Sequence, residues 1–351
     1  MHIRRVLTLA VAVATLSGAP VLVAQNNQQP NRRDQERRSQ AEQRDIQALV
    51  QMVDAVAAGK QPAPADIGLR WENNHFLRGA DGSTYVPFTV AVDATKLAAP
   101  GAAFYVRVVN KNAAPVPAAE QGNRGRNQPP PAVAYPWDNV NFMDVPADGK
   151  VSRAMALKPG EYEVFITLKE KSPLEPQRNQ PPAKAGMLRR DLTVPDFNGT
   201  DLSTSSVFIG DIEQLTAPLT PAQQQENPYT FGNMRVLPST DFKLKKSGEL
   251  QVLFWVYGTQ QTSGKPDVLI EYNFHIKAAE GEKYFNKTAP QLLNASTLPP
   301  QFDVAAGHQL PGSLVVPLMS FPAGEYRLEI KVTDKISGKT LTQNANFTVE
   351  A

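Results

Sequence analysis

Few side chains in this sequence could carry out acid–base or metal chemistry. The 351 residues include no cysteine and four histidines, and one of these, His2, lies in an apolar N-terminal leader. The others, His75, His275 and His308, are scattered and belong to no HExxH pair or other metal-ligand spacing. His275 follows Phe274 at the end of an expected strand, which is typical of a structural histidine.

No nucleophile motif or phosphate-binding motif is present either. The sequence has no Gly-x-Ser-x-Gly elbow, Walker loop or calcium loop. We therefore predict no catalytic, cofactor-binding or metal-binding residue, and a non-enzymatic protein. A hydrolase whose carboxylates converge only in the folded chain is kept as a third hypothesis for the function.

Candidate recognition residues are found among the aromatic side chains of predicted loops. One group is Tyr135, Trp137 and Phe142, and the other is Tyr229 and Phe231. Flat apolar rings of this kind stack on sugars or anchor a protein partner. Alternatively, they cap the ends of the folded units and pack on neighbouring strands, because large aromatic side chains are mostly buried.

A stretch that occurs twice indicates which elements position these residues. Residues 160–170 and 324–334 both begin with Gly-Glu-Tyr, and apolar and polar side chains then alternate. This alternation predicts two β-strands, each with one buried face. The buried side chains are predicted to be Tyr162, Val164, Ile166 and Leu168 in the first copy, and Tyr326, Leu328, Ile330 and Val332 in the second.

The outer faces of the two copies differ at one position. Phe165 points away from the predicted core, whereas the second copy has Glu329 at the corresponding place. Either the first insertion of this domain covers Phe165, or Phe165 belongs to an interface. We therefore expect any binding face to lie on the first domain.

The whole chain predicts a mainly β protein with two tandem immunoglobulin-like β-sandwiches. Its length suits two domains, and its 30 prolines and 22 glycines indicate many turns. The first sandwich is predicted at 66–195, with Pro/Gln/Arg-rich insertions at 120–131 and 172–185, and the second at 203–351. Strands are expected at 69–77, 84–92, 104–109, 140–143, 151–157, 160–170 and 188–194, and at 206–212, 233–237, 250–257, 268–275, 313–318, 324–334 and 341–349.

Three segments precede the sandwiches. Residues 1–24 resemble a secretory signal peptide, with Arg4 and Arg5 before an apolar stretch. Residues 25–38 are rich in Gln, Asn and Arg, which predicts a disordered tether. A short amphipathic helix is expected at 39–59, from a capping box at Ser39 and Glu42 to Gly59, with Ile46, Leu49, Val50, Val53 and Val56 at helical spacing. The helix would dock on the first sandwich or on a partner, and we favour the first.

Charge and cysteine content restrict the compartment and the partners. Arg4 and Arg5 account for the formal net charge of +2, so the chain after the signal peptide is neutral and no nucleic-acid partner is predicted. No transmembrane span is expected in the mature chain. An exported protein of this length without cysteine is typical of bacteria, so we expect a periplasmic or cell-surface location.

The runs LKPGEY at 157–162 and FPAGEY at 321–326 resemble the tyrosine corner of immunoglobulin-like and fibronectin-III-like sandwiches. The resemblance implies that the hydroxyls of Tyr162 and Tyr326 bond to an upstream backbone group. In disulfide-bearing members a cysteine follows the tyrosine by two positions. Val164 and Leu328 stand there in this chain, so apolar packing would replace the bridge.

The order of TYVPF at 84–88, LTVPDF at 192–197 and FPAGEY at 321–326 is similar to that of exported bacterial proteins with tandem sandwiches. Some of those proteins accompany the GWxTD and von Willebrand factor A-like families, although the GWxTD motif itself is missing here. The resemblance implies a fold and a compartment but no activity.

Together these patterns predict an exported, non-enzymatic interaction or scaffolding protein of the bacterial envelope, whose partner is another envelope protein. The alternative is a carbohydrate-binding module, which requires Tyr135 and Trp137 to be exposed and coplanar.

Overall fold

The structure is a computed structural model that describes residues 32–112, 134–175, 181–304 and 306–351, with side chains from residue 35 onward. The predicted signal peptide, the tether up to residue 31, the insertion at 120–131 and the middle of the loop at 172–185 lie outside the described residues. The described chain forms two compact units. One comprises the residues up to Asp196 together with Gln223–Pro228, and the other comprises Phe197–Ala222 and Tyr229–Ala351.

The first unit contains a long helix and two antiparallel sheets. In one sheet, β3 pairs with β1 and β2 and with β6; the other sheet has the order β5-β4-β7-β8. The elements are α1 (Arg32–Ala57), β1 (Leu69–Asn74), β2 (Leu77–Arg78), β3 (Thr84–Val92), β4 (Gly101–Asn110), β5 (Trp137–Asp144), β6 (Lys150–Leu157), β7 (Gly160–Glu170) and β8 (Ala185–Val194), with a 3-10 turn at Ala94–Lys96.

The second unit is built from two larger sheets. Their orders are β11-β12-β10-β14-β18, with β9 on β14, and β13-β20-β19-β15-β16, with β17 on β15. The remaining elements of the chain are β9 (Ser203–Thr204), β10 (Phe208–Gln214), α2 (Pro221–Glu226), β11 (Thr230–Phe231), β12 (Met234–Pro238), β13 (Lys243–Lys245), β14 (Glu249–Tyr257), β15 (Val268–Ala278), β16 (Gly281–Lys287), β17 (Gln291–Leu293), β18 (Leu310–Pro317), β19 (Gly324–Asp334) and β20 (Thr340–Glu350), with a 3-10 turn at Leu318–Ser320.

Each unit buries the alternating side chains of both its sheets in one core. In the first unit Phe88 of β3 and Phe104 of β4 meet Val164 of β7. In the second unit Phe254 of β14 meets Tyr272 of β15 and Leu328 of β19. The prediction of a mainly β protein with two sandwich-like domains is therefore confirmed.

The repeated Gly-Glu-Tyr strands are β7 and β19, and each begins with the same contact. The hydroxyl of Tyr162 donates to the carbonyl oxygen of Lys158 at 2.8 Å. The hydroxyl of Tyr326 donates to the carbonyl oxygen of Pro322, also at 2.8 Å. Each bond ties the start of the strand to the residues that lead into it, which is the geometry of a tyrosine corner.

Helix α1 is longer than predicted. It begins at Arg32, so the prediction of a disordered tether is wrong for residues 35–38, and Ser39 and Glu42 lie inside the helix instead of capping it. The added residues are mostly Arg, Gln and Glu, which lose little side-chain entropy in a helix and can extend it without burial. At the other end, Gly59 adopts φ 67°, and its N–H bonds to the carbonyl of Val56 at 3.0 Å while Lys60 N–H bonds to Ala55 at 2.8 Å. This Schellman motif closes the helix.

Several strands were not predicted, and one of them matters for the surface of the second unit. Strand β16 pairs antiparallel with β15 along its whole length. It went unrecognised because its charged residues and its single partner give a weak strand signal. Strand β5 is also longer than the predicted strand at 140–143, so Trp137 lies on a strand and not in a loop.

Candidate interaction surfaces

The outer face of the β5-β4-β7-β8 sheet is apolar and is covered by α1. Phe165 of β7 is 0% exposed and packs with Ala103 and Tyr105 of β4 against Leu49 and Val53 of the helix. The expectation that a loop or a partner covers Phe165 is therefore wrong. The expected docking of the helix on the first sandwich is confirmed, and it explains why an aromatic side chain is tolerated on an outer face.

The helix presents a stripe that matches this face. Ala41, Asp45, Leu49 and Val53 recur every fourth residue and are all buried. Ile46, which was expected in the apolar stripe, is instead 36% exposed, because the adjacent Asp45 takes the inward position. A charged residue in the buried stripe requires a partner on the sheet.

That partner is Lys169 at the end of β7. Its ammonium lies 2.6 Å from Asp45 Oδ1, and both side chains are buried. Ser172 completes the site, because its N–H donates to Asp45 Oδ2 at 2.9 Å and its hydroxyl donates to Oδ1 at 2.6 Å. The buried carboxylate therefore receives charge-assisted bonds on both oxygens.

A second buried cation of the sheet contacts α1 near the C-terminal end of the helix. Arg107 of β4 is 3% exposed, and its Nη1 donates to Asp54 Oδ1 at 2.5 Å. Its guanidinium lies over the rings of Tyr135 and Tyr105, at 4.2 Å and 5.3 Å from their centroids. Burial would lower the pKa of Arg107, but the bond to Asp54 and the neighbouring tyrosines outweigh it and raise that pKa. The arginine stays charged and holds the helix.

The loop after β7 also clamps the helix. Arg44 donates to the carbonyl oxygen of Pro173 at 3.2 Å, and Arg37 forms an ion pair of 2.5 Å with Glu175. These contacts are exposed, so each of them contributes little to the stability of the docked helix. Together with Ser172 they place the described start of the 172–185 loop along α1.

The predicted aromatic platform of the first domain is not formed. Trp137 on β5 pairs with Val108 on β4 and packs against the core between the sheets, whereas Tyr135 lies under Arg107 on the outer face. Both rings are half-buried, and Phe142 packs beside the helix. Tyr135 and Trp137 are therefore on opposite sides of the sheet and cannot stack on one sugar.

The aromatic residues of the second group also pack internally. Tyr229 is 5% exposed and lies edge-on to Phe208, with ring centroids 6.2 Å apart. Phe231 contacts Phe208 and Trp255, at 5.7 Å and 4.8 Å. These rings form an aromatic cluster around β10, β11 and β14, which agrees with the alternative that the aromatic residues pack on neighbouring strands.

The histidines are not brought together. His75 is buried, and burial lowers its pKa to about 4. His275 lies beside Tyr284 with ring centroids 5.9 Å apart, and His308 Nδ1 accepts from Asp303 N–H at 2.9 Å. Among the described residues no cluster of His, Asp and Glu has the geometry of a metal site. A depression of about 260 Å³ between Leu97 and Val145 is lined by alanine, proline, leucine and valine side chains.

The outer face of β16-β15-β19-β20 is polar and is covered by no helix of the described residues, and it was not predicted from the sequence. Arg327 of β19 forms a two-pronged pair with Glu282 of β16, with Nε–Oε1 and Nη2–Oε2 distances of 2.9 Å and 2.6 Å. Its Nη1 donates to Asn344 Oδ1 at 2.6 Å and to Glu329 Oε2 at 3.2 Å. Three neighbouring side chains therefore hold the guanidinium in one position.

Tyr284 lies on the same face and is 58% exposed. It is opposite His275 in the pairing of β15 with β16, two residues beyond Glu282. Glu282 and Tyr284 are two residues apart and so point to the same side of a strand, whereas Phe285, at a one-residue bulge, packs against the core. This pattern was the sequence signal that could have revealed the face. We call the residues Glu282, Tyr284, Arg327, Glu329 and Asn344 the Arg327 face.

No described helix is long and apolar enough to cross a membrane. No family model matches the sequence, and no curated protein matches it. Among solved structures, Escherichia coli alpha-2-macroglobulin activated by porcine elastase aligns with 82% of this chain and 24% of its own, at 13% identity and a TM-score of 0.22. A Salmonella alpha-2-macroglobulin aligns with 82% of this chain and 17% of its own, at 11% identity and a TM-score of 0.20. The chain thus spans a quarter or less of these proteins, and at such TM-scores the similarity supports no inference about fold or function.

Proposed function

We propose that this protein is a non-enzymatic interaction protein of the bacterial envelope, exported by its N-terminal signal and recognising another envelope protein through the Arg327 face. The observation that carries the proposal is the exposed ring of Tyr284 on the same face as an arginine already held in place by Glu282 and Asn344. Tyrosine and arginine are enriched among the residues that dominate binding energy at protein interfaces.

Preorganisation supports this choice of face. A partner that pairs with the Arg327 face does not need to immobilise the Arg327 side chain, because its guanidinium is already bound by three acceptor residues. The entropic cost of ordering long side chains on binding is thereby reduced. The matching face of the first unit is occupied by α1, so the two sandwiches have different outer surfaces.

Export is supported by the sequence alone, through Arg4, Arg5 and the apolar stretch that follows them. The carbohydrate alternative rested on Tyr135 and Trp137, and their positions on opposite sides of a sheet remove that support. For this reason we propose a protein partner.

The test is site-specific photo-crosslinking in intact cells. A photoreactive amino acid at position 284 is expected to yield one defined crosslinked protein, and the same probe at Leu237, which is 43% exposed on another sheet, serves as the control. Arg327→Ala should reduce the crosslink from position 284 at unchanged protein level. Equal products from both positions, or no product from position 284, would contradict the proposal.

A further inference from the structure

Strand β18 lies at an edge of its sheet in the second unit. Among the described strands it pairs only with β14. Its side chains are mostly apolar: Leu314 and Val316 pack on the core, and Val315, on the opposite side of the strand, is 49% exposed. An apolar edge strand presents unpaired N–H and C=O groups to which a strand of another chain can add. Three features of β18 oppose such addition.

The pairing with β14 defines which backbone groups of β18 face outward. Leu318 N–H donates to the carbonyl oxygen of Gly248 at 3.0 Å, and the ladder runs from there along β18 without a register shift. Hydrogen-bonded and non-hydrogen-bonded pairs alternate in an antiparallel ladder, so the N–H and C=O groups of every second residue point away from β14. Counted back from Leu318, the outward residues are Pro311, Ser313, Val315 and Pro317.

Two of these four outward positions have no N–H group, because they are prolines. Pro311 and Pro317 stand near the two ends of the strand. Proline is tolerated in an edge strand where its nitrogen faces away from the neighbouring strand, and there it deprives an incoming strand of a donor. Only Ser313 and Val315 keep outward N–H groups.

The groups of Ser313 are already occupied by side chains of the opposing sheet. Gln291 of β17 accepts from Ser313 N–H through Oε1 at 3.1 Å, and its Nε2 donates to the carbonyl oxygen of Pro311 at 3.5 Å. The hydroxyl of Tyr272 on β15 lies 3.3 Å from the carbonyl oxygen of Ser313 and 2.9 Å from Gln291 Oε1. The side-chain amide of Gln291 thus makes one bond as acceptor and one as donor, as a backbone amide of a neighbouring strand would.

We propose that Pro311, Pro317 and Gln291 form an edge lock that prevents β18 from pairing with the same strand of a second copy. Val315 is the one outward position whose N–H and C=O both lack a partner among the described residues. The bonds of a single position are too few to offset the entropic cost of association. The inference does not depend on the Arg327 face, which belongs to the other sheet of this unit.

Opening the lock tests the proposal in the full chain after the signal peptide. Gln291→Ala with Pro317→Val frees Ser313 and restores an N–H at position 317, so three successive outward positions can pair. In sedimentation velocity over a concentration series, we expect the dimer dissociation constant to fall about ten-fold or more relative to the unmodified chain. Hydrogen exchange of the Val315 amide should slow in the dimer, because that N–H becomes bonded to the second copy.

A third substitution distinguishes an opened edge from general destabilisation. Val315→Pro, added to the opened chain, removes the central outward donor and should restore the monomer. Tyr326→Phe is the control for stability, because it weakens the same unit at its corner and leaves β18 unchanged. Pro317→Val alone keeps every bond of Gln291 and should give an intermediate dimer fraction. The proposal would be overturned if both opened chains stayed as monomeric as the unmodified chain, or if association persisted with Val315→Pro or appeared equally in Tyr326→Phe.

Discussion

The carboxylate of Asp45 on α1 accepts a 2.6 Å bond from the ammonium of Lys169 on β7, and both side chains are buried. This pair joins residues that are far apart in the chain, and it sets the position of the helix along the sheet. A shift by one helical turn would bring an apolar residue to Lys169 and leave the cation without a partner.

We expect Asp45→Ala to lower the free energy of unfolding of the first unit by about 3–5 kcal/mol, because Lys169 would remain as an uncompensated buried charge. Urea denaturation measures the change. The matched control is Glu42→Ala, which is exposed on the same helix and should change stability by less than about 0.5 kcal/mol. The pair Asp45→Leu with Lys169→Met should recover most of the loss, and an equal loss in that double variant would contradict the explanation.

Phe165→Ala should release α1 from the sheet. The ring is fully buried between β7 and the helix, so we expect a cost of about 3–5 kcal/mol and faster hydrogen exchange throughout the helix. Glu329→Ala, at the corresponding position of the second unit, should cost only about 1 kcal/mol, because it removes partly exposed contacts. Unchanged exchange in α1 for the Phe165 variant would show that the ring does not anchor the helix.

The two corner tyrosines should respond alike to loss of the hydroxyl. Tyr162→Phe and Tyr326→Phe each remove one bond of 2.8 Å to a backbone carbonyl, and we expect a loss of about 1 kcal/mol from the unit concerned. Tyr284→Phe is the control, because that ring is exposed and its loss of the hydroxyl should be neutral within about 0.5 kcal/mol. Thermal melting of the three variants makes the comparison, and similar values for all would refute the role of the corners.

The buried His75 should make the first unit sensitive to mild acid. Burial lowers its pKa from 6.5 to about 4, so between these pH values the unfolded chain binds the proton more readily than the folded chain. The free energy of unfolding should therefore be highest above pH 6.5 and fall by about 3 kcal/mol as the pH drops to 4. Urea midpoints at pH 7.5, 5.5 and 4.5 test this. His75→Gln should remove most of the slope in this window, and an unchanged slope would assign it to other groups.

Local patterns predicted the elements with alternating side chains well. The four side chains of each repeated strand that the two-residue period places inward, from Tyr162 to Leu168 and from Tyr326 to Val332, do lie in the sandwich cores, and the mainly β architecture followed from such segments. Strand β16 was missed because it is an edge strand rich in charged residues. The Arg327 face was missed with it, since Glu282 and Arg327 come together only through the pairing of β16, β15 and β19.

The sequence alone determined which side of each repeated strand faces the core between the sheets, because that depends on an alternation every residue shares with its nearest neighbours. It also determined that a helix ends at Gly59, since a left-handed residue there closes the helix locally. Only the tertiary structure decided what lies over Phe165. The alternation along β7 sets the outward direction of the Phe165 side chain. Its burial, however, depends on Leu49 and Val53, and on Asp45, which holds the helix in place, and these residues are more than a hundred positions earlier. The same nonlocal packing covers the expected binding face of the first domain with α1.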